Sequence, residues 1–447
     1  MARFTQKAYV NGNAEGERRI HPESAAEPTR RSHVDWQFLI LLVMLMSIGL
    51  VMLFSASFAN AYYEQRDALA VFRQQAIYAV AGAALMFLAS TVRVSALRRH
   101  SYRKYAMPLL AASIFLLLLT LPELKIPIAL TRNGARRWIK IGGFQFQPSE
   151  IAKLGLILGF AHMMCREGHT LVYGAGRAAK LRRRSQRLGA FARELLPFFG
   201  IVAVIAALLL KEPHTSATII ICAIAAIMLF ADGLDKRVWV PLLIFAAIAA
   251  ALIIYKAEEM YNEAYAQYSA GTITQEEFRD AFGDYKLSRI VFWLHPDADP
   301  RGKGYQTLQS LYAVGSGGLL GQGFGMSRQK FFYLPEEHND YIFAIICEEI
   351  GFLGAIVILI LFALLIVRGF WIALRAKDKF SSLAVIGIMG MLAMQVGLNI
   401  AVVTNSLPCT GISLPFFSYG GTALMIQLIE MGIVLSVSRD MKLSREG

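Results

Sequence analysis

Beyond residue 35 the chain is written in long apolar stretches separated by short polar ones. A membrane-crossing helix needs roughly 20 mostly apolar residues, and ten stretches read that way: 36–57, 74–92, 105–122, 148–164, 195–210, 215–231, 238–255, 341–366, 382–403 and 421–438. The fifth and sixth are joined by Lys211-Glu212-Pro213-His214, which reads as a tight hairpin. The pattern predicts an all-α, polytopic membrane protein of ten transmembrane helices, with a large structured external loop over 256–340. An even number of spans puts both termini on one side.

Composition agrees. The 447 residues are 56% hydrophobic and only 17% charged, with a net charge of +13. An ordinary soluble domain carries about 25% charged residues. Residues 1–35 hold six Lys/Arg and no apolar run, so they read as a disordered basic tail, and 440–447 as a second short tail. With both termini in the cytoplasm, the internal segments hold 28 of the 45 Lys/Arg and the external ones 16, Lys153 lying in a span. The positive-inside rule therefore places both termini in the cytoplasm. The cluster Arg182-Arg183-Arg184 with Arg187 reads as part of that topology signal. Nucleic acid is excluded as a partner, because the charge is divided among short loops and no recognition module is present. The four cysteines are scattered, with neither disulfide-framework nor zinc spacing. The first apolar run starts near residue 36 and is long enough to span, so no cleavable signal peptide is read.

Candidate chemistry gathers in three places. In the first, 123–147 leads into Pro148-Ser149-Glu150. Pro148 suits a first helical turn, and Glu150 there favours the helix dipole. Lys153 lies three residues on, on the same face and among apolar neighbours. An ionisable residue inside a span usually faces a cavity or a partner; the alternative is a buried Glu–Lys pair that pins helix packing.

The second place is 256–340. Residues 257–283 read as an amphipathic helical hairpin at the outer face, with Thr274 and Glu277 forming a capping box. The run Gly315-Ser316-Gly317-Gly318-Leu319-Leu320-Gly321-Gln322-Gly323 matches no nucleotide-binding loop; such glycines let irregular backbone line a cavity. Asp340 stands at the outer mouth of the next span, either as a helix N-cap or as a proton-abstracting carboxylate raised in pKa by burial. Glu348 lies two turns deeper, near the same face.

The third is 405–421, where two prolines and three glycines between spans predict a re-entrant or broken segment that includes Ser418. Glu430 in the final span is an intramembrane acid whose partner the sequence does not name.

Four motifs in order, Gly-Ala-Arg-Arg-Trp-Ile with Gln-Pro-Ser-Glu-x-x-Lys, Gly-Tyr-Gln…Gln-Ser, Leu-Pro-Glu-x-His-x-Asp, and Thr-Gly-Ile-x-Leu-Pro-Phe-x-Ser-Tyr-Gly-Gly, resemble the shape, elongation, division and sporulation (SEDS) family, which includes FtsW, RodA and SpoVE. The resemblance covers about 36–439 and is nearer the division and sporulation branch. It implies a glycosyltransferase that polymerises lipid-linked disaccharide-pentapeptide (lipid II) outside the cytoplasmic membrane. It also implies a class B penicillin-binding protein as transpeptidase partner, alongside other division proteins. Asp340 matches the family's essential aspartate, and Glu150 with Lys153 the charged pair of its central cavity. The sequence departs at Asn339, Tyr341, Ser413 and Thr422, where Thr, Phe, Pro and Ser are usual. His214 falls where Pro-Asp-x-Gly-Thr is common, leaving Glu212 as the acid of that loop, to which no function is carried over.

Such chemistry asks for a base, assigned to Asp340, and for cations on the leaving diphosphate. The candidates are Lys153, Arg136, Arg137, Arg289 and Lys330, with Glu348 and Ser418 completing the substrate-binding set. No cofactor is evident, and a divalent cation would be bound partly through the diphosphate. Two rivals are weighed: a lipid II flippase, which needs no general base, and a non-catalytic division scaffold, which has no reason to carry buried charge.

Overall fold

Asp35 starts the first helix by accepting a hydrogen bond from the Phe38 amide, 2.9 Å away. The same carboxylate pairs with Arg368 at 2.8 Å, and the Asp35 amide donates to Ser438, so one residue ties together the ends of three helices. The structure, a computed structural model, describes residues 34–441 except 93–101, 125, 133–134, 143, 167–168, 170–183, 283–284 and 303. All of these lie in the unit Ser32–Gly447. The basic N-terminal tail up to residue 33, Arg182 and Arg183, and the last six residues lie outside the described residues.

Each apolar stretch forms a helix: α1 (Trp36–Gln65), α2 (Ala70–Thr91), α3 (Tyr102–Leu119), α4 (Pro148–Met164), α5 (Arg184–Lys211), α6 (Thr215–Ala231), α7 (Lys236–Ser269), α11 (Ile342–Leu374), α12 (Lys379–Val403) and α13 (Gly421–Arg439). Between α7 and α11 lie α8 (Gln275–Asp280), α9 (Tyr285–Leu294) and α10 (Tyr305–Gly317). Seven of the ten are long and apolar enough to cross a membrane, which makes the chain a multi-pass membrane protein. Two others, Tyr105–Leu119 and Thr215–Ala231, are shorter apolar helices, and α4 carries Glu150 and Lys153. The packed pairs are α2 with α13, α3 with α4, α1 with α11, and α12 with α6, α4 and α11.

Three local features refine the sequence expectations. First, 129–146 forms an antiparallel sheet, β1 (Ala129–Arg132), β2 (Ala135–Ile141) and β3 (Phe144–Phe146), with Ile139 opposite both Ala129 and Phe146. Second, the expected boundary near residue 256 is not a break. Helix α7 runs unbroken through it, because 256–269 keeps strong helix formers and holds neither Pro nor Gly. The apolar stretch of α7 buries none of its residues within the chain, while its outer end packs on α8 and α9 around Phe278, Phe282 and Phe292. The capping box of Thr274 and Glu277 is present at the start of α8.

Third, α11 is broken at Gly351, where φ is 67° and ψ −173°. The break frees backbone groups nine residues into an apolar helix, where an unpaired group is costly. The glycine-rich turn after α10 satisfies them. Gln322 and Gly323 amides donate to the Glu348 and Glu349 carbonyls at 2.9 and 3.0 Å, and the Gly318 and Leu319 carbonyls accept from Phe352 and Leu353 at 2.9 and 3.1 Å. The chains approach so closely that a Cβ on Gly351 would strike the backbone of 319–321. The 405–420 segment is likewise irregular, with 412 and 414–418 buried. It reaches mid-helix depth, where Phe362 of α11 meets the Phe416 and Phe417 rings at 6.4 and 5.6 Å between centroids.

Candidate functional site

The three sequence regions meet around one cavity of about 430 Å³, within the size range of small-molecule sites. Of the residues expected there, Asp340, Glu150, Lys153, Arg137 and Arg289 line it.

Asp340 is not the N-cap of α11. That position belongs to Tyr341, and no side chain caps the helix. The Asp340 carboxylate instead faces Gly411, whose φ of 71° and missing Cβ admit it: a Cβ there would sit 3.1 Å from Oδ2. Asn399 holds this arrangement by donating to the Asp340 and Ile412 carbonyls, each at 2.7 Å. Burial pushes the Asp340 pKa up to about 6; the nearby Glu336 carboxylate adds to the rise, and Arg289, Arg137 and His338 oppose it. Asp340 thus combines access to the cavity with a proton affinity suited to exchange near neutral pH.

Glu150 and Lys153 form an ion pair at 2.7 Å across one turn of α4. Pro148 occupies the first turn as expected. Glu430, whose partner the sequence left unnamed, is fully buried within electrostatic reach of Lys153 and Glu150.

The neighbours Arg136 and Arg137 separate, because successive residues of a strand point to opposite faces. Arg137 reaches the cavity and donates to the carbonyls of Glu212 and Pro213. Arg136 turns away and binds the carbonyls of Pro122, Ile126 and Ala129, so its expected role at the substrate is corrected to one of holding the sheet. Lys330 and Glu348 are corrected in the same way, since neither lines the cavity. Lys330 is buried against Glu349 at 2.8 Å, and its ammonium also donates to the Gly325 carbonyl and Ser55. Glu348 accepts from the Ser327 hydroxyl and the amides of Arg328 and Gln329. Ser418 stands behind the wall, donating to the Asn339 carbonyl and accepting from the Leu414 amide, both at 2.7 Å.

Arg289, on α9, donates to the Cys409 carbonyl at 3.0 Å, and Trp293, one turn on, to that of Asn405 at 2.9 Å. The external insert is therefore docked on the same segment that receives Asp340.

Several lining residues carried no assignment from sequence: Gln147, His214, Gln395, Thr410 and the mouth residue Glu336. Four side-chain atoms of residues that line the cavity, His214 Nδ1, Gln395 Oε1, Thr410 Oγ1 and Thr422 Oγ1, are themselves buried and have no hydrogen-bond partner among the described residues. Two residues before His214, burial raises the Glu212 pKa to about 7, against the hydrogen bond from Thr120 and the charge of Arg137. The signal was present in the sequence as a departure, His214 in place of an acid, but nothing in the residues alone placed it on the cavity. Among the described residues no group of three His, Cys, Asp or Glu is arranged to hold a metal.

A family model described as cell cycle protein, FtsW/RodA/SpoVE, matches residues 35–443. Stage V sporulation protein E of Bacillus subtilis is 35% identical over 412 residues, which are 92% of this chain and 98% of that protein. A probable peptidoglycan glycosyltransferase FtsW of Trichlorobacter lovleyi is 34% identical over 94% of this chain and 97% of its own length. Among solved structures, a chain from a peptidoglycan synthase complex that coordinates polymerization and crosslinking superposes with a TM-score of 0.65 and 25% identity, covering 91% of this chain and 98% of that one. The rod shape determining protein RodA of Thermus thermophilus gives 0.57 and 26%, covering 92% and 98%.

Proposed function

The chain belongs to the FtsW/RodA/SpoVE family of cell cycle proteins, and from that premise we propose that it is a peptidoglycan glycosyltransferase that polymerises lipid II at the outer face of the cytoplasmic membrane. The observation that carries the reading is the juxtaposition, in one cavity, of the Asp340 carboxylate with the cations Arg137, Lys153 and Arg289.

The reaction follows from those groups. The acceptor sugar's 4-hydroxyl oxygen attacks the donor's anomeric carbon and forms the new glycosidic bond. The bond from that carbon to the diphosphate oxygen breaks, its electron pair leaving with the lipid diphosphate. The hydroxyl proton passes to Asp340. One displacement inverts the anomeric carbon, so a single base suffices. Arg137, Lys153 and Arg289 stabilise the charge that grows on the leaving group, an effect strongest where water is excluded. Any divalent cation would be held through the diphosphate with Asp340 or Glu150.

In this reading all ten helices cross the membrane and both termini are cytoplasmic, as the Lys/Arg distribution supports. A class B penicillin-binding protein is the crosslinking partner, in keeping with the synthase complex that the fold resembles. Its contact includes the α8–α9 insert, and other division proteins join the assembly.

Purified full-length protein, with and without a class B partner, is given lipid II in liposomes, and the products are resolved by length. Wild type makes long strands, and Asp340→Asn, shown to be folded, loses about 10²–10⁴-fold in rate. Equal strand synthesis by both removes Asp340 from the mechanism. Lipid II translocation without strands, in both proteins, replaces the polymerase with a flippase.

A further inference from the structure

We infer that the N-terminus of helix α6, together with the amide of Gln395 on α12, is the seat of the substrate's diphosphate. The inference rests on the proposed function and adds a set of neutral donors to its cations.

Helix α6 begins at Thr215 without a side-chain cap, since His214 holds the N-cap position and its ring accepts no backbone hydrogen bond. The first bond of the helix runs from the Thr218 amide to the His214 carbonyl at 3.2 Å. Among the described residues, the amides of Thr215, Ser216 and Ala217 find no acceptor. All three residues line the cavity. A 17-residue helix that starts this way presents a partial positive charge and a fan of N–H groups to an anion.

A second observation, on another helix, points to the same ligand. Gln395 is only 3% exposed and lines the same cavity, yet its carbonyl oxygen is shut away. What it opens on the cavity is its amide NH2, and among the described residues nothing accepts from that group. Buried donors are normally paired, so this one calls for an acceptor that enters the cavity.

The cations gather at the same place. Arg137 donates to the carbonyls of Glu212 and Pro213, the two residues that lead into the N-cap. Burial first, and then the charges of Arg137 and Lys153, lower the His214 pKa to about 3, so the ring is neutral and both cations act on the start of α6. Lys153 is already shared with Glu150 at 2.7 Å, and the neutral donors supply what the cations alone do not. A diphosphate, whose oxygens only accept, can meet all of these groups at once. The base is close by: a Cβ on Gly411 would lie 3.1 Å from Asp340 Oδ2 and 3.8 Å from Ser216 Oγ. A donor held by its diphosphate at α6 therefore has its anomeric carbon near the hydroxyl that Asp340 deprotonates.

The test measures binding of undecaprenyl diphosphate and of undecaprenol, the same lipid without phosphate, to the purified full chain in nanodiscs. Thr215→Pro deletes one amide N–H at the helical position that tolerates proline best; Thr215→Ala removes the hydroxyl and keeps the amide. Thr215→Pro is expected to bind undecaprenyl diphosphate at least about tenfold more weakly than Thr215→Ala, the worth of one hydrogen bond to a charged acceptor. Gln395→Leu loses a similar factor against wild type, and undecaprenol binding is unchanged in every variant. Equal affinities of the proline and alanine variants, with Gln395→Leu like wild type, overturn the inference, as do losses that extend equally to undecaprenol. Strand synthesis by wild type from lipid II is followed alongside. Strands together with either of those results remove the α6 seat and leave the polymerase; neither strands nor undecaprenyl diphosphate binding by wild type overturns both. Monodisperse elution and an unchanged melting temperature qualify each variant, and Gln395→Leu keeps the test decisive if Thr215→Pro does not fold.

Discussion

Among the described residues, two lysine–glutamate pairs are buried at almost the same separation. Lys153 and Glu150 meet at 2.7 Å, and Lys330 and Glu349 at 2.8 Å. Their surroundings differ. Glu349 is closed off and receives the Ser55 hydroxyl of α1 at 2.7 Å, while Lys330 also reaches the Gly325 carbonyl. Glu150 keeps 13% of its side chain open, and the pair lines the cavity beside Asp340. A buried ion pair is weak evidence for function in itself, since its desolvation penalty offsets its attraction. What separates the two is where the remaining hydrogen-bonding capacity points. The Lys330–Glu349 pair spends it on α1 and the loop, and joins them; the Lys153–Glu150 pair leaves it facing a space that a charged ligand can enter.

The sharpest break of the comparison is Glu349→Gln, which strands Lys330 without a counter-charge. It is expected to cost about 3–5 kcal/mol in stability, read as a lower melting temperature, while the rate per folded molecule on lipid II is retained. Replacing both partners with Lys330→Met and Glu349→Leu should recover much of that loss. Lys153→Met reverses the pattern: because Glu150 can be hydrated from the cavity, the stability cost falls to about 1–3 kcal/mol, and the rate drops at least about tenfold. If both single variants lower stability and rate alike, the division between structural and cavity pairs is wrong. The smallest effect concerns pH. A general base must be ionised, so the rate should fall as pH drops below about 6, the Asp340 value. Arg289→Met removes a charge that favours the ionised form and should move that limb to higher pH.

The sequence was informative wherever chemistry followed from spacing along one element. Apolar run lengths located the helices, and the i, i+3 spacing of Glu150 and Lys153 put both on one face, as found. It failed where position depended on a second segment. Arg136 and Arg137 looked equivalent because β2 was not recognised; once it is a strand, alternation separates them. Lys330 carried the right charge for a diphosphate and Glu348 lay near the face of Asp340, but only the pairing of 318–323 with broken α11 shows where they point. The change of composition at 256 resembled a boundary, and helix α7 ignored it. Asp340 fitted an N-cap by position, and tertiary contacts with Gly411 and Asn399 decided otherwise.

The exchange of backbone partners at Gly351 also sets how this protein can vary. Four hydrogen bonds lock residues 318–323 to 348–353 in a single register. Inserting or deleting one residue in that turn would slip every donor past its acceptor and leave backbone groups unpaired. Length variation here is penalised by that shared register. The turn after α10 behaves as a spliced piece of the helix it repairs, and should exchange its amide protons as slowly as α11 itself.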